Sequence, residues 1–178
     1  PSFPRIDMWS DTIATRGNHQ PVWVYDVGTD PETGEPIETR AGTTGIYTNP
    51  FGDLITGASK LGAVPGFEFF AVPGVDPPTM FDVFPGAPAV TGTGGSTIVF
   101  KGNFTVDGIG RTGVFFRELL EREINEGPGG GDNPVVLIAN NLETVIPGTD
   151  DEIFGSTSPP SAVDDRVVFA GFDDENAP

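Results

Sequence analysis

The chain has 178 residues, 26 acidic against 9 basic side chains, a formal net charge of −17 and no cysteine. That charge sets it against nucleic-acid phosphates and anionic membrane surfaces, and the missing thiols exclude disulfides, thiolate metal sites and cysteine nucleophiles. No apolar run reaches the roughly 18 residues of a membrane-spanning helix, so membrane insertion is not expected.

The 25 glycines and 18 prolines fall between short runs rich in Val, Ile and Phe, as punctuation between strands, and predict an all-β chain. Residues 1–16 form an N-terminal extension with apolar side chains at Phe3, Ile6, Met8, Trp9 and Ile13. A first β repeat unit is expected over 17–97. It opens with Val22-Trp23-Val24-Tyr25, makes a polar excursion over 26–40 with a turn at Pro31-Glu32-Thr33-Gly34, and returns through Thr44-Gly45-Ile46-Tyr47. A turn at 51–53, the Val64-Pro65-Gly66 corner, the aromatic run 67–70 and a Pro-rich crossing over 77–88 lead to Ala89-Val90 and a glycine turn at 92–95. A second unit, 98–178, pairs 98–104 with 112–116 across the turn at 107–110. Its insertion, 117–133, begins with apolar spacing that fits either a short helix or an extended hairpin arm. Strand-like runs resume at 135–138, 153–154, 162–163 and 167–172.

One pattern, V-x-F/Y-x-G in outline, recurs at Val22–Tyr25, at Ile98-Val99-Phe100-Lys101-Gly102 and at Val167-Val168-Phe169-Ala170-Gly171. The later two copies are about 70 residues apart, a period that fits a unit of several short strands. The first two copies are followed by a partner run, Thr44-Gly45-Ile46-Tyr47 and Thr112-Gly113-Val114-Phe115; the third has none. The reading is therefore an antiparallel β-sandwich, immunoglobulin-like, made of two related repeats, with an unpaired last strand.

The order of aliphatic pair, polar turn, V-x-F-x-G strand, T-G-I-Y strand, P-G corner and aromatic run resembles bacterial exported tandem-repeat proteins with an N-x-x-G-x-x-A-F signature. The resemblance covers about residues 12–171. The signature has drifted here: Val163-Asp164-Asp165-Arg166-Val167-Val168-Phe169 lacks the Asn and the Gly. The resemblance implies an exported β repeat and no established enzymatic activity. An extracellular or cell-surface location also fits a chain that begins at Pro1 without Met, as expected of a mature form from which an export signal has been removed.

Little in the sequence points to catalysis. His19 is the single histidine, with no nucleophile motif around it, and G-x-S-x-G, P-loop and H-E-x-x-H are absent. Gly92-Thr93-Gly94-Gly95-Ser96 lacks the lysine of a phosphate loop and reads as a turn. Calcium takes six to eight oxygens, roughly what a carboxylate-rich loop supplies. Asp26, Asp30 and Glu32, and separately Asp150 and Asp151, are therefore candidate calcium ligands, against the plainer reading of solvated loops. No other cofactor is expected. Asn103-Phe104-Thr105 is a candidate glycosylation sequon.

Two functions follow. In the first, the chain is a non-enzymatic subunit of an extracellular bacterial filament or pilus-like fibre. Phe3, Ile6, Met8 and Ile13 are the donor strand and Val167, Val168 and Phe169 the acceptor edge on a neighbouring copy, so the partner is the chain itself. In the second, it is a monomeric β-repeat module for adhesion, carbohydrate or calcium recognition.

Overall fold

Apolar runs that alternate with polar residues, and are closed by glycine turns, fold as antiparallel strands. The computed structural model describes residues 4–7, 10–63, 68–120 and 133–173, and contains no α-helix among them. The first sheet takes four consecutive strands in the order β1 (Arg5–Asp7), β2 (Thr12–Thr29), β3 (Pro36–Thr48) and β4 (Ile55–Ser59). The second contains β5 (Phe81–Val83), β6 (Ala89–Thr91), β7 (Thr97–Val106), β8 (Ile109–Glu118) and β9 (Val136–Asn140). There β5 and β6 lie along the same edge of β7, and β8 and β9 follow on the other side. Two short pairs complete the described chain: β10 (Ser156–Thr157) with β13 (Gly171–Phe172), and β11 (Ser161–Val163) with β12 (Arg166–Val168).

Every pairing is antiparallel. The β7–β8 hairpin turns on Asp107 and Gly108, both at positive φ (53° and 76°), between the paired Val106 and Ile109. This two-residue loop twists with its strands, and Asp-Gly suits it because both positions sit in the left-handed region.

The two large sheets share one pattern of pairing. In the first, Gly45, Ile46 and Tyr47 face Ser59, Ala58 and Thr56, with a one-residue shift that leaves Gly57 unpaired. In the second, Gly113, Val114 and Phe115 face Asn140, Ala139 and Leu137, with the same shift at Ile138. Three-pair ladders also recur ahead of each long strand. Arg5–Asp7 pair with Ala14–Thr12, Ala89–Thr91 with Val99–Thr97, and Ser161–Val163 with Val168–Arg166.

One face of the second sheet packs on the first. Ile98, Phe100, Phe104 and Phe115 meet Ala14, Ile46, Ile55 and Ala58 in the main core, with Phe81 and Phe84 filling between. The phenyl rings meet edge-on, Phe81 and Phe115 at 5.0 Å and 81°, which suits their quadrupoles. The opposite face of the second sheet holds a smaller core. There Val99 and Val114, with Phe116 and Ile138, receive Ala162, Val167 and Phe169.

Several expectations change. An immunoglobulin-like sandwich interleaves its strands between sheets, whereas each of the two large sheets here is built from neighbouring strands of the chain. The boundaries expected at 16/17 and 97/98 fall inside β2 and at the start of β7. The long strands begin at Thr12 and Thr97, ahead of the aromatic landmarks used to divide the chain. Opposite Gly45 stands Gly17, so the partner of the T-G-I-Y run is Thr15-Arg16-Gly17; Trp23 faces Ala41. The last strand is not unpaired. It is two short segments, each hydrogen-bonded along one edge: 166–168 to the 161–163 run, which folds back on it through a tight turn at Asp164-Asp165, and 171–172 to Ser156–Thr157. Of the insertion, 117–118 continue β8 and 121–132 lie outside the described residues.

Candidate functional site

The glycine of the V-x-F-x-G pattern is a seat for an aromatic ring. A Cβ on Gly102 would lie 2.6 Å from the ring of Phe81, and one on Gly171 would collide with the ring of Phe154. In the first sheet Gly17 and Gly45 together carry the ring of Tyr47, a Cβ on Gly17 lying 2.9 Å from it. Phe81 then meets Phe100 edge-on at 5.9 Å, and Phe154 meets Phe169 at 6.1 Å. In the second sheet a further ring, Phe115 of β8, closes this cluster on Phe81. No ring takes that place beside Phe154 among the described residues.

The reason is visible in the pairing. β7 has β5 and β6 on one edge and β8 on the other. β12 and β13 have β11 and β10 on one edge, and no strand on the other among the described residues. Val163 and Arg166 close a two-residue turn and so form a hydrogen-bonded pair, which makes Ala162–Val167 the non-hydrogen-bonded pair. The N–H and C=O of Val167 therefore point towards the bare edge.

Below that edge lies a groove of about 550 Å³. Its floor is Val99, Phe116 and Ile138, its wall Val167, and its rim includes Glu118 and Asp165. Phe116 and Ile138 are half-buried, whereas Val99 is fully buried. The overhanging turn is held where Thr91 Oγ1 donates to the Asp164 carbonyl. The strand β10 is fixed by side chains that imitate a ladder. The Asn141 amide donates to the Gly155 carbonyl (2.8 Å), its oxygen accepts from the Thr112 N–H (2.8 Å), and the Thr112 and Thr157 hydroxyls meet at 3.1 Å.

Arg117 links the second sheet to the first. It is 1% exposed and projects from β8 onto the first sheet. Its guanidinium donates to the carbonyls of Thr56 (3.0 Å) and Gly57 (3.1 Å) in β4 and of Asn133 (2.8 Å). It stands 3.8 Å from a Glu68 oxygen and 5.2 Å from the Phe70 ring centroid. Sequence reasoning passed over it as part of an insertion. The signal was its place four residues after Gly113 in the T-G-Val-Phe run.

The structure separates the candidate residues. Val167 and Phe169 enter the smaller core, and Val168 is 70% exposed on the other side of its strand. Ile6 and Ile13, expected to donate to a neighbour, face each other across β1 and β2 of the same chain. Phe3 and Met8 lie outside the described residues. Asp30 caps its own turn, its Oδ1 accepting from the N–H groups of Glu32 (2.7 Å) and Thr33 (3.1 Å), and these bonds hold its carboxyl below the usual value. Asp150 and Asp151 sit in a separate turn, and no three metal-ligating side chains gather among the described residues. The side chain of Asp26 is outside the description. Asn103 stands mid-strand in β7 with its amide oxygen buried and unpartnered, a poor seat for a glycan. Lys101, half-buried in β7, has its ammonium pKa lowered by that burial.

No protein-family model, curated protein or solved structure matches the chain.

Proposed function

We propose that the chain is a non-enzymatic β-repeat module that acts by accepting a strand at the open edge of β12 and β13. In this reading the first sheet, the second sheet and the 156–172 segment are copies of one unit. They stack face to face like successive blades of a propeller, and among the described residues no equivalents of β8 and β9 stand beside the last copy. The observation that carries the reading is the bare edge at Val167, beside a groove whose counterpart under the second sheet is filled by β8. Main-chain hydrogen bonds supply affinity in such a contact and side-chain pockets supply selectivity. If the strand comes from another copy, donor and acceptor are different surfaces, so the assembly propagates as a filament. Residues 5–7 are not free to be that donor, because they already pair with Thr12–Ala14.

Amide exchange tests the reading. In the monomer the Val167 N–H is expected to exchange at least about a hundredfold faster than the Ile98 N–H, which occupies the same place in a strand paired on both sides. A Val167 amide as protected as Ile98 in a protein shown to be monomeric by light scattering sinks it.

A further inference from the structure

The side chains around the open edge constrain the chemistry of the strand it accepts. The geometry points to an extended partner segment that carries Gly-x-aromatic-x-Arg and pairs antiparallel to β12–β13. This inference rests on the open edge acting as a strand acceptor.

Three observations specify the segment. First, the ladder between β7 and β8 sets Gly113 opposite Gly102, Phe115 opposite Phe100 and Arg117 opposite Ile98. The corresponding positions on the open edge are Gly171, Phe169 and Val167, and Gly171 and Phe169 hold Phe154 as Gly102 and Phe100 hold Phe81. Phe154 is only half-buried, while Phe81 is fully buried because Phe115 covers it. An aromatic side chain opposite Phe169 completes the cluster. A glycine opposite Gly171 lets that ring approach, as Gly113 does for Phe115.

Second, an arginine two residues after the aromatic falls over the shifted pair in β9. In the first sheet the bulge at Gly57 turns the Thr56 and Gly57 carbonyls towards Arg117. The same bulge recurs at Ile138, so the Leu137 and Ile138 carbonyls are the acceptors in the same register.

Third, the charges agree. The groove rim carries Glu118, Asp164 and Asp165, on a chain of net charge −17. A cation arriving there is drawn in and an acidic strand is repelled. The bulge residues also explain why the groove is ready. Where Ile98 fills the space over Gly57, the smaller Val167 leaves room for the side chain of Ile138.

The outer face of the first sheet is a poor occupant for this groove. Where the second sheet presents Phe100 and Phe115, it presents Thr15 and Tyr47. The partner is thus an extended strand of the stated chemistry rather than a second copy docked face to face.

The test uses the full chain and a fluorescently labelled synthetic peptide with the sequence of residues 109–119, read by anisotropy at fixed ionic strength. Saturable micromolar binding is expected. It should weaken by about tenfold or more when the peptide carries Arg117→Gln or Phe115→Ala. It should be lost when peptide amides facing the protein are N-methylated, and when the protein carries Val167→Pro with an unchanged circular-dichroism spectrum. If the variant peptides bind as tightly as the parent while N-methylation abolishes binding, the edge accepts strands and the stated chemistry is wrong. If no peptide binds, or if binding survives both N-methylation and Val167→Pro, the strand-acceptor reading falls with it.

Discussion

Replacing Arg117 by leucine removes a buried cation that joins the two large sheets. The leucine fills part of the space, but three carbonyls, at Thr56, Gly57 and Asn133, lose their donor. Each hydrogen bond to a charged group contributes about 1.5–3 kcal/mol, from which the desolvation of the guanidinium must be subtracted. The near-complete burial of Arg117 makes that subtraction large, and the Glu68 carboxylate 3.8 Å away offsets part of it. Removing one member of such a buried arrangement costs about 3–5 kcal/mol. For a chain of this size that corresponds to a fall in Tm of about 6–20 °C. Urea unfolding followed by circular dichroism measures it, with an unchanged m-value confirming that the same surface is exposed. Arg117→Lys keeps the charge but reaches fewer of the three carbonyls, and is expected to lose less. A loss below about 1 kcal/mol for Arg117→Leu would refute the view that this side chain locks the second sheet to the first.

Gly57→Ala places a methyl group against Ile98 and is expected to cost about 1–3 kcal/mol; adding Ile98→Val should recover at least half, and strict additivity in the double-mutant cycle removes the contact from the account. Asn141→Ala strips Gly155 and Thr112 of their side-chain partners, and a loss of about 2–3 kcal/mol with faster amide exchange at Ser156 and Thr157 is the expected result. Burial raises the pKa of Tyr47 above its ordinary 10. Its contribution to stability is therefore complete below pH 10 and is lost as pH rises through the folded value. Tyr47→Phe should flatten that alkaline part of the urea-midpoint profile, and an unchanged profile assigns the loss to other groups.

Much of the strand content was legible because its signals are local. Asp107-Gly108 marks a hairpin, and the pairing of 98–104 with 112–116 expected across it lies within the β7–β8 ladder. Partner choice was less legible. Aromatic character aligns Val22–Tyr25 with Ile98–Phe100, whereas the pairing is set by glycines that make room for a ring, so Thr15-Arg16-Gly17 is the stretch opposite Gly45. The tight turn at Asp164-Asp165 was hidden because its first residue adopts positive φ without being glycine. At the candidate site, Val167 and Phe169 were named from the repeat count, while the groove beneath them was not, since it depends on β9 and on the bulge at Ile138.

The outer face of the first sheet and the open edge of β12 and β13 differ in chemistry. The outer face of the first sheet carries Ile13, Thr15 and Tyr47, and its central positions are small or hydroxylated where the second sheet has phenylalanine. Among the described residues no strand pairs with the far edge of β12 and β13, which lies beside half-buried Phe116, Ile138 and Phe154. Exposed strand edges next to apolar surface favour further pairing. Under the proposed strand addition, the acidic rim at Glu118, Asp164 and Asp165 would disfavour pairing with a second copy of the same acidic edge and favour a strand that brings its own positive charge.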